Sequence, residues 1–346
     1  MTQIDPRFFD RMAATAQPTE MSMSWIDTWS RCDRRFMYRY VRGLVPKATS
    51  TNMVWGTFFH RIAQEYYRSI RNHAREDAAL HNAQMIAERC TLVENKYHGD
   101  TKIDFDTPTR EKVWDTFLYY YENQARHDEW DEILEVEESA YIVVGMNNVP
   151  LLKIRSTFDL HAKKNGQHYI VDHKTTGDVE QNVEFLALDL QPRHYVLTAR
   201  NLYQEPITMC MNYIARDVPP GFGHRPLETE TGQKRSASTL ANLQRKERYL
   251  QRKWLSYSNE QLDEHQRELV RTAMMIELEK QTEIWPRRIV KMGGMSCSTC
   301  PYFALCCAEL NGRTMPDESP LIQVAYNKDE RLERKADVIS LHPFAR

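Results

Sequence analysis

Two carboxylates and a lysine lie close together near the middle of the chain: Asp159, then Asp172-His173-Lys174. Each group sits in a β-type run, and Lys164-Asn165-Gly166 between the runs is a turn signal. On a strand, residues i and i+2 point to the same face, so Asp172 and Lys174 project together. In a hairpin closed through that turn, residues equidistant from it become neighbours, which sets Asp159 beside Asp172. Gathering this set is costly in repulsion and desolvation unless something offsets it, and a divalent cation would. Carboxylate oxygens suit Mg2+ or Mn2+. Such an ion polarises a phosphodiester and lowers the pKa of a bound water. Lys174 would orient that water or stabilise charge on the phosphate. Taken alone, the pattern is weak, because solvated surface strands carry it by chance.

Three more residues fit the same chemistry. His60 ends the run Gly56-Thr57-Phe58-Phe59-His60, and imidazole is an acceptable further ligand for Mn2+. A solitary helix histidine is more often a structural hydrogen bonder. Gln191 and Tyr195 stand at i and i+4, on one face of a helix. Amphipathic packing explains that spacing equally well, and Pro192 between them requires the helix either to begin there or to kink.

A second constellation lies near the C-terminus. Of seven cysteines, Cys297, Cys300, Cys306 and Cys307 crowd together, while Cys32, Cys90 and Cys210 stand alone. Without an export signal a disulfide framework is not expected. Thiolates at the spacing of Cys297, Cys300 and Cys306 can hold zinc or an iron–sulfur cluster. A zinc ribbon needs two CxxC knuckles and one is present, so a cluster is the leading reading; reduced thiols are the bland one. Cys307 could replace Cys306, and Cys90 and Cys210 read as core residues.

The elements that must position these groups follow from periodicity. Trp25, Trp29, Phe36, Tyr40 and Leu44 recur at helical spacing over residues 23–44, and Phe58, Ile62, Tyr66 and Ile70 mark a second helix over 57–70. Residues 75–130 are charged and mostly helical, as an inserted bundle would be. Strands are expected over 133–144, 151–162 and 168–174, with Asn147-Asn148 as a turn, then a helix over 183–202 and a strand over 207–215. Residues 217–238 read as a mobile loop and 239–285 as a long helix. Between Arg225 and Lys253 there are eight Lys or Arg against three Glu, an excess of five that suits either a solvated face or phosphate contact.

The alternation of helix and strand makes an α/β fold. We expect an N-terminal arm over 1–22, a single domain over 23–312 with its catalytic sheet at 132–215 and a long helix over 239–290, and a tail over 313–346. The 346 residues are 41% hydrophobic and 27% charged, with net charge −2, so any DNA-binding surface must be a local patch. No apolar run reaches membrane-spanning length, and the N-terminus is charged where a signal peptide needs an apolar core. A cytoplasmic location, in a bacterial, archaeal or phage-infected cell, is therefore expected.

Taken in order, GTFFH, IRSTFDL, IVDHKTT and QPRHY resemble the motifs of the RecB-like branch of the PD-(D/E)XK nucleases over about residues 24–215. The chain departs from that pattern in having Arg155-Ser156-Thr157-Phe158 before Asp159, where a Gly-x-x-Asp entry is usual. The resemblance implies a mixed sheet flanked by helices and a metal site of His60, Asp159, Asp172 and the backbone carbonyl of His173. It implies that Lys174 serves the attacking water and that Gln191 and Tyr195 help hold DNA. It also implies a 4Fe-4S cluster, since Cys32 stands where iron–sulfur AddB-type relatives carry their first ligand, with Cys297, Cys300 and Cys306 as the rest. Such a cluster would close nearly the whole chain into a loop, worth about 4–5 kcal/mol by analogy with cross-links. The expected activity is exonucleolytic hydrolysis of DNA, single-stranded or at duplex ends, with recombination or replication proteins as possible partners. The alternative is a catalytically silent DNA-binding or assembly protein; the sequence does not distinguish DNA from RNA.

Overall fold

The computed structural model describes residues 19–47, 51–89, 93–94, 102–103, 107–146, 149–229, 232, 234, 236–288 and 297–329. In chain order the elements begin with β1 (Thr19–Ser22), α1 (Met23–Arg31), α2 (Asp33–Phe36), a π-turn (Met37–Val41), β2 (Leu44–Pro46), α3 (Thr51–Arg71) and α4 (Glu76–Arg89). Next come the short strands β3 (Val93–Glu94) and β4 (Lys102–Ile103), α5 (Thr107–Asn123), β5 (Glu132–Met146), β6 (Val149–Lys164) and β7 (Gln167–Thr176). They are followed by α6 (Val179–Glu184), α7 (Leu190–Tyr203), β8 (Ile207–Ala215), α8 (Ala237–Leu243), β9 (Leu250–Leu255) and α9 (Asn259–Thr282). The last are α10 (Phe303–Leu310), α11 (Pro320–Ala325) and β10 (Tyr326–Lys328).

The central sheet runs β1-β6-β7-β8-β9, with β5 on the other edge of β6. It is mixed: β7 and β8 are parallel, as are β1 and β6, and the remaining pairs are antiparallel. The β6–β7 hairpin turns through Asn165 and Gly166, both at positive φ (52° and 74°), as a tight hairpin with right-handed twist requires. Its ladder extends only to Leu160 opposite Val171. Beyond that pair β7 leaves β6, and β1 takes the same edge of β6 at residues 152–155. Asp159 is the first residue past the split.

Helices cover both sides of this sheet. In α3, Phe58, Phe59, Ile62, Ala63, Tyr66 and Tyr67 form the buried stripe of an amphipathic helix. In α5, Val113, Phe117 and Tyr120 do the same. Strand β8 is buried at every position, as a parallel strand covered on both faces should be. The expected α/β core with a mixed sheet and flanking helices is present.

Several expected elements differ. The helix over 23–44 breaks at Cys32, which is extended (φ −167°, ψ 115°), and resumes as α2. The helix over 183–202 is two helices, α7 starting afresh from the cap Asp189, whose side chain accepts from Gln191 N at 2.9 Å. Pro192 therefore sits in a first turn, where the missing N–H costs nothing. The helix over 239–285 is instead α8, the strand β9 and α9. Leu250–Leu255 is polar enough to read as helix but pairs with β8, and α9 begins at the Ser258–Gln261 capping box. The basic excess over 225–253 is consequently not one helix face; Arg252 is held by Asp128, Arg225 by Asp217 and Arg245 by Glu180. The segment expected as a mobile loop is tied to α5 by His224, whose backbone N–H and ring Nδ1 both contact Asp115 Oδ2. Of the expected arm, Thr19–Ser22 is a strand; residues 1–18, Cys90, Asn147, Asn148 and residues 330–346 lie outside the described residues.

The N-terminal and C-terminal segments of the described residues are clasped by protein contacts. Strand β10 pairs with β2, Tyr302 Oη donates to Leu44 O at 2.6 Å, and Arg288 pairs with Asp33 at 2.8 Å. Glu309 receives Arg34, Tyr38 and Arg287 on one oxygen. The expected tail is thus folded into the domain as far as Asp329, which accepts from Arg39.

Candidate active site

Where β7 parts from β6, Asp159 takes over as acceptor for the strand. His173 N–H donates to Asp159 Oδ2 at 2.7 Å, and His173 Nδ1 lies 3.1 Å from the same oxygen. On the other side, His60 Nδ1 is 3.2 Å from Asp159 Oδ1. Helix α3 can bring His60 this close because residue 56 is glycine: a Cβ there would stand 3.0 Å from Thr175 Oγ1, tighter than ordinary packing. Asp172 and Lys174 share the opposite face of β7, with Lys174 Nζ 2.8 Å from Asp172 Oδ2.

One member of the cluster was not foreseen. Ligand atoms of His60, Glu137 and Asp159 all lie within 4.8 Å of one another, the single such three-residue group among the described residues. Glu137 belongs to β5, between the pairs Val136–Leu160 and Glu138–Phe158, and so stands across from Asp159. Its φ is 58°, a left-handed conformation that costs a non-glycine residue ~1–2 kcal/mol. Strain of this kind collects at functional positions. The sequence signal was the run Glu135-Val136-Glu137-Glu138, which breaks the alternation of apolar and polar residues along the strand.

The electrostatics are those of a compact charged nest. Burial works against a charged His60, but Asp159 first and Asp172 further away outweigh it and raise its pKa to about 9. Burial likewise opposes ionisation of Asp159, yet His60 and His173 hold its carboxyl well below the usual range. Asp172 shifts upward through burial and the repulsion of Asp159, against the pull of Lys174. Burial disfavours the Lys174 cation, and the Asp172 carboxylate more than restores it. Carboxylates that repel one another inside the fold, with an imidazole beside them, are a donor set that a hard divalent cation would satisfy.

Behind the nest runs a buried polar chain. His173 Nε2 contacts Tyr120 Oη at 2.8 Å, and Tyr120 Oη contacts Tyr67 Oη at 2.6 Å. Tyr67 lies 3.4 Å from Asp128, which pairs with Arg252; Arg252 Nε in turn donates to Asn212 Oδ1 at 2.7 Å. His173 Nδ1–H donates to the Asp159 carboxylate, which leaves Nε2 to face Tyr120 Oη. Tyr120 of α5 thus ties the segment expected as an inserted helical bundle to His173 of the nest.

In front of the nest is a cleft of about 740 Å³ lined by Lys174, Gln191, Arg216, Phe185 and Leu188 among others. Gln191 Nε2 donates to Tyr195 Oη at 2.6 Å, and buried Tyr195 packs edge-on against Phe158. Gln191 thus reaches the cleft while Tyr195 backs it.

The cysteines gather loosely. Cys300 N–H donates to Cys297 O at 3.1 Å, and Arg287 Nε lies 3.3 Å from Cys306 Sγ. Burial raises the Cys300 thiol, and the neighbouring Cys32 and Cys297 thiols push it the same way. Cys300 and Cys306 pack against the core, whereas Cys210 is buried within β8. No three thiols among the described residues stand within 4.8 Å of one another.

Among solved structures, the chain is similar to a candidate exonuclease from Eubacterium rectale at 10% identity, covering 94% of this chain and 98% of that one with a TM-score of 0.46. SSO0001 aligns at 8% identity over 88% and 98% of the two chains, with a TM-score of 0.36. A phage-related exonuclease from Haemophilus somnus 129PT aligns at 12% identity over 51% and 84%, with a TM-score of 0.26. No curated protein matches the sequence significantly. No helix among the described residues is long and apolar enough to cross a membrane. The family model of the PD-(D/E)XK nuclease superfamily, by contrast, matches residues 20–307, most of the chain, and the chain belongs to that superfamily.

Proposed function

We propose that the protein is a metal-dependent DNA exonuclease whose reaction centre is the nest at the β6–β7 split. The observation that carries this reading is the convergence of His60, Glu137 and Asp159 to within 4.8 Å, with the Asp172–Lys174 pair beside them. His60, Asp159, Asp172 and the backbone carbonyl of His173 would hold Mg2+ or Mn2+, with Glu137 added to the set the sequence suggested. A bound ion supplies Lewis-acid polarisation of the phosphodiester and an acidified water. Lys174 orients the attacking water or stabilises charge on the phosphate oxygen, and Asp172 holds Lys174 in place. Gln191 positions the strand at the cleft, supported by Tyr195.

The same reading assigns a 4Fe-4S cluster to Cys32, Cys297, Cys300 and Cys306. In its favour are the approach of Cys32 and Cys297 to Cys300, and the placement of Cys32 at a break between helices, where the thiol is not committed to a helical face. Cys306 is favoured over Cys307 because it packs inward with Cys300 and its sulfur has a guanidinium donor. Because the clasp around Glu309 already joins the segments that carry Cys32 and Cys306, the cluster would reinforce this closure.

Purified protein with Mn2+ or Mg2+ should degrade linear DNA progressively from its ends and spare closed circles. Fragmentation of closed circles at a comparable rate would replace the exonuclease reading with an endonuclease.

A further inference from the structure

The cleft in front of Lys174 carries two features the hydrolytic chemistry leaves unexplained. The first is an apolar lip. Phe185, Leu188 and Leu190, at the α6–α7 junction, are 56%, 75% and 36% exposed, although a short turn beside a buried sheet could have tucked them inward. The second is Arg216, just past the end of β8. Among the described residues no carboxylate pairs with it, and its one side-chain bond is a long 3.4 Å contact from Nη1 to Thr175 O. Its guanidinium fits there because residue 177 is glycine; a Cβ at that position would be 3.2 Å from Nη2. Arg31 on the same cleft wall is, by contrast, paired with Asp27. A half-buried guanidinium with unused donors suits a phosphate, and exposed apolar side chains beside it suit the face of an unpaired base.

We propose that this cleft is a subsite for a single-stranded DNA end, with Arg216 on a backbone phosphate and Phe185 and Leu188 against an unstacked base. The assignment rests on the nuclease reading and narrows it: duplex bases are hidden in their stack, so the lip selects frayed or single-stranded ends.

The test measures binding of a labelled oligothymidylate and of a blunt duplex to the intact protein, with Ca2+ in place of the catalytic ion. Replacing Phe185→Ala together with Leu188→Ala should weaken oligothymidylate binding about tenfold or more while leaving duplex binding near its original value. Arg216→Ala should weaken both, with the slope of log affinity against log salt falling by about one. All three side chains are at least partly exposed, and a melting curve verifies that each variant is folded. Unchanged oligothymidylate affinity in the double variant, or equal losses on both DNAs, would overturn the subsite. Loss of self-association in that variant, with DNA binding intact, would also overturn it and give the lip to a protein contact. Wild-type protein that binds neither DNA would sink the nuclease reading and the subsite together. Full DNA cleavage with an inert lip would sink the subsite alone.

Discussion

His173 holds Asp159 twice through a single carboxylate oxygen, by its backbone N–H at 2.7 Å and by ring Nδ1 at 3.1 Å. The ring is itself fixed from behind by Tyr120 at 2.8 Å, so the rotamer of Asp159 and the tautomer of His173 are set by one chain of bonds. Groups that orient metal-binding side chains in this way typically change metal affinity 10–100-fold when removed. Tyr120→Phe keeps the ring packing and deletes the hydroxyl that His173 Nε2 contacts. It should lower Mn2+ affinity about tenfold, read by calorimetric titration well below the melting temperature. A variant that is less stable but binds Mn2+ normally would reduce the chain of bonds to a packing role.

The choice between metals tests the proposed ligands. His60→Ala should weaken Mn2+-supported cleavage more than Mg2+-supported cleavage, because Mg2+ prefers oxygen ligands. Glu137→Gln should impair both, while relieving none of the left-handed strain at that position. Equal losses in both metals for His60→Ala, with Glu137→Gln fully active, would remove both residues from the ligand set.

Acid should destabilise the fold through histidines buried in neutral form. Burial depresses His161 and His265 to about 4 and His194 to about 3, and Lys163 and His168 add to the effect at His161. Below the ordinary value of about 6.5 the unfolded chain takes up these protons and the native chain does not. Stability is therefore complete above that pH and falls as pH drops toward the folded values, by up to ~1.4 kcal/mol per pH unit for each histidine. His265 is a useful probe, since it is fully buried and neither ring nitrogen has a hydrogen-bond partner among the described residues. His265→Leu should flatten the fall in melting temperature between about pH 6.5 and 4. An unaltered slope would show that other groups govern the acid response.

How far the site could be read from sequence depended on how local each relationship is. Asp159, Asp172 and Lys174 were legible because the strand pleat and a short Asn-Gly turn fix their relative positions within sixteen residues. Glu137 was not, because it enters from a neighbouring strand by a left-handed kink whose trace in the sequence is a single break in alternation at Glu137-Glu138. Tyr67, Tyr120, Asp128 and Arg252 were also missed: their contacts span 53 to 124 residues and appear locally as ordinary helix, loop and basic-run positions. Strand β9 was read as helix because Leu250–Leu255 is rich in polar, helix-compatible residues, and pairing with the buried β8 overrode that preference.

The proposed 4Fe-4S cluster makes a prediction of its own. Anaerobically purified protein should be brown, with iron and sulfide in equal amounts, and Cys32→Ser should bleach it as fully as Cys300→Ser. Since Glu309, Tyr302 and the β2–β10 pair also join the ends, bleached protein should remain folded with a lowered melting temperature. A colourless, zinc-loaded native protein would contradict the cluster.

Whether the β6–β7 split is the reaction centre is read from cleavage of linear DNA in Mn2+ by wild-type, Asp159→Asn and Lys174→Ala proteins, with DNA affinity measured in parallel. Wild-type protein should degrade the DNA, and both variants should be inactive while binding within a few-fold of wild type, because phosphate contacts elsewhere carry most of the affinity. Undiminished cleavage by either folded variant would place the reaction centre elsewhere.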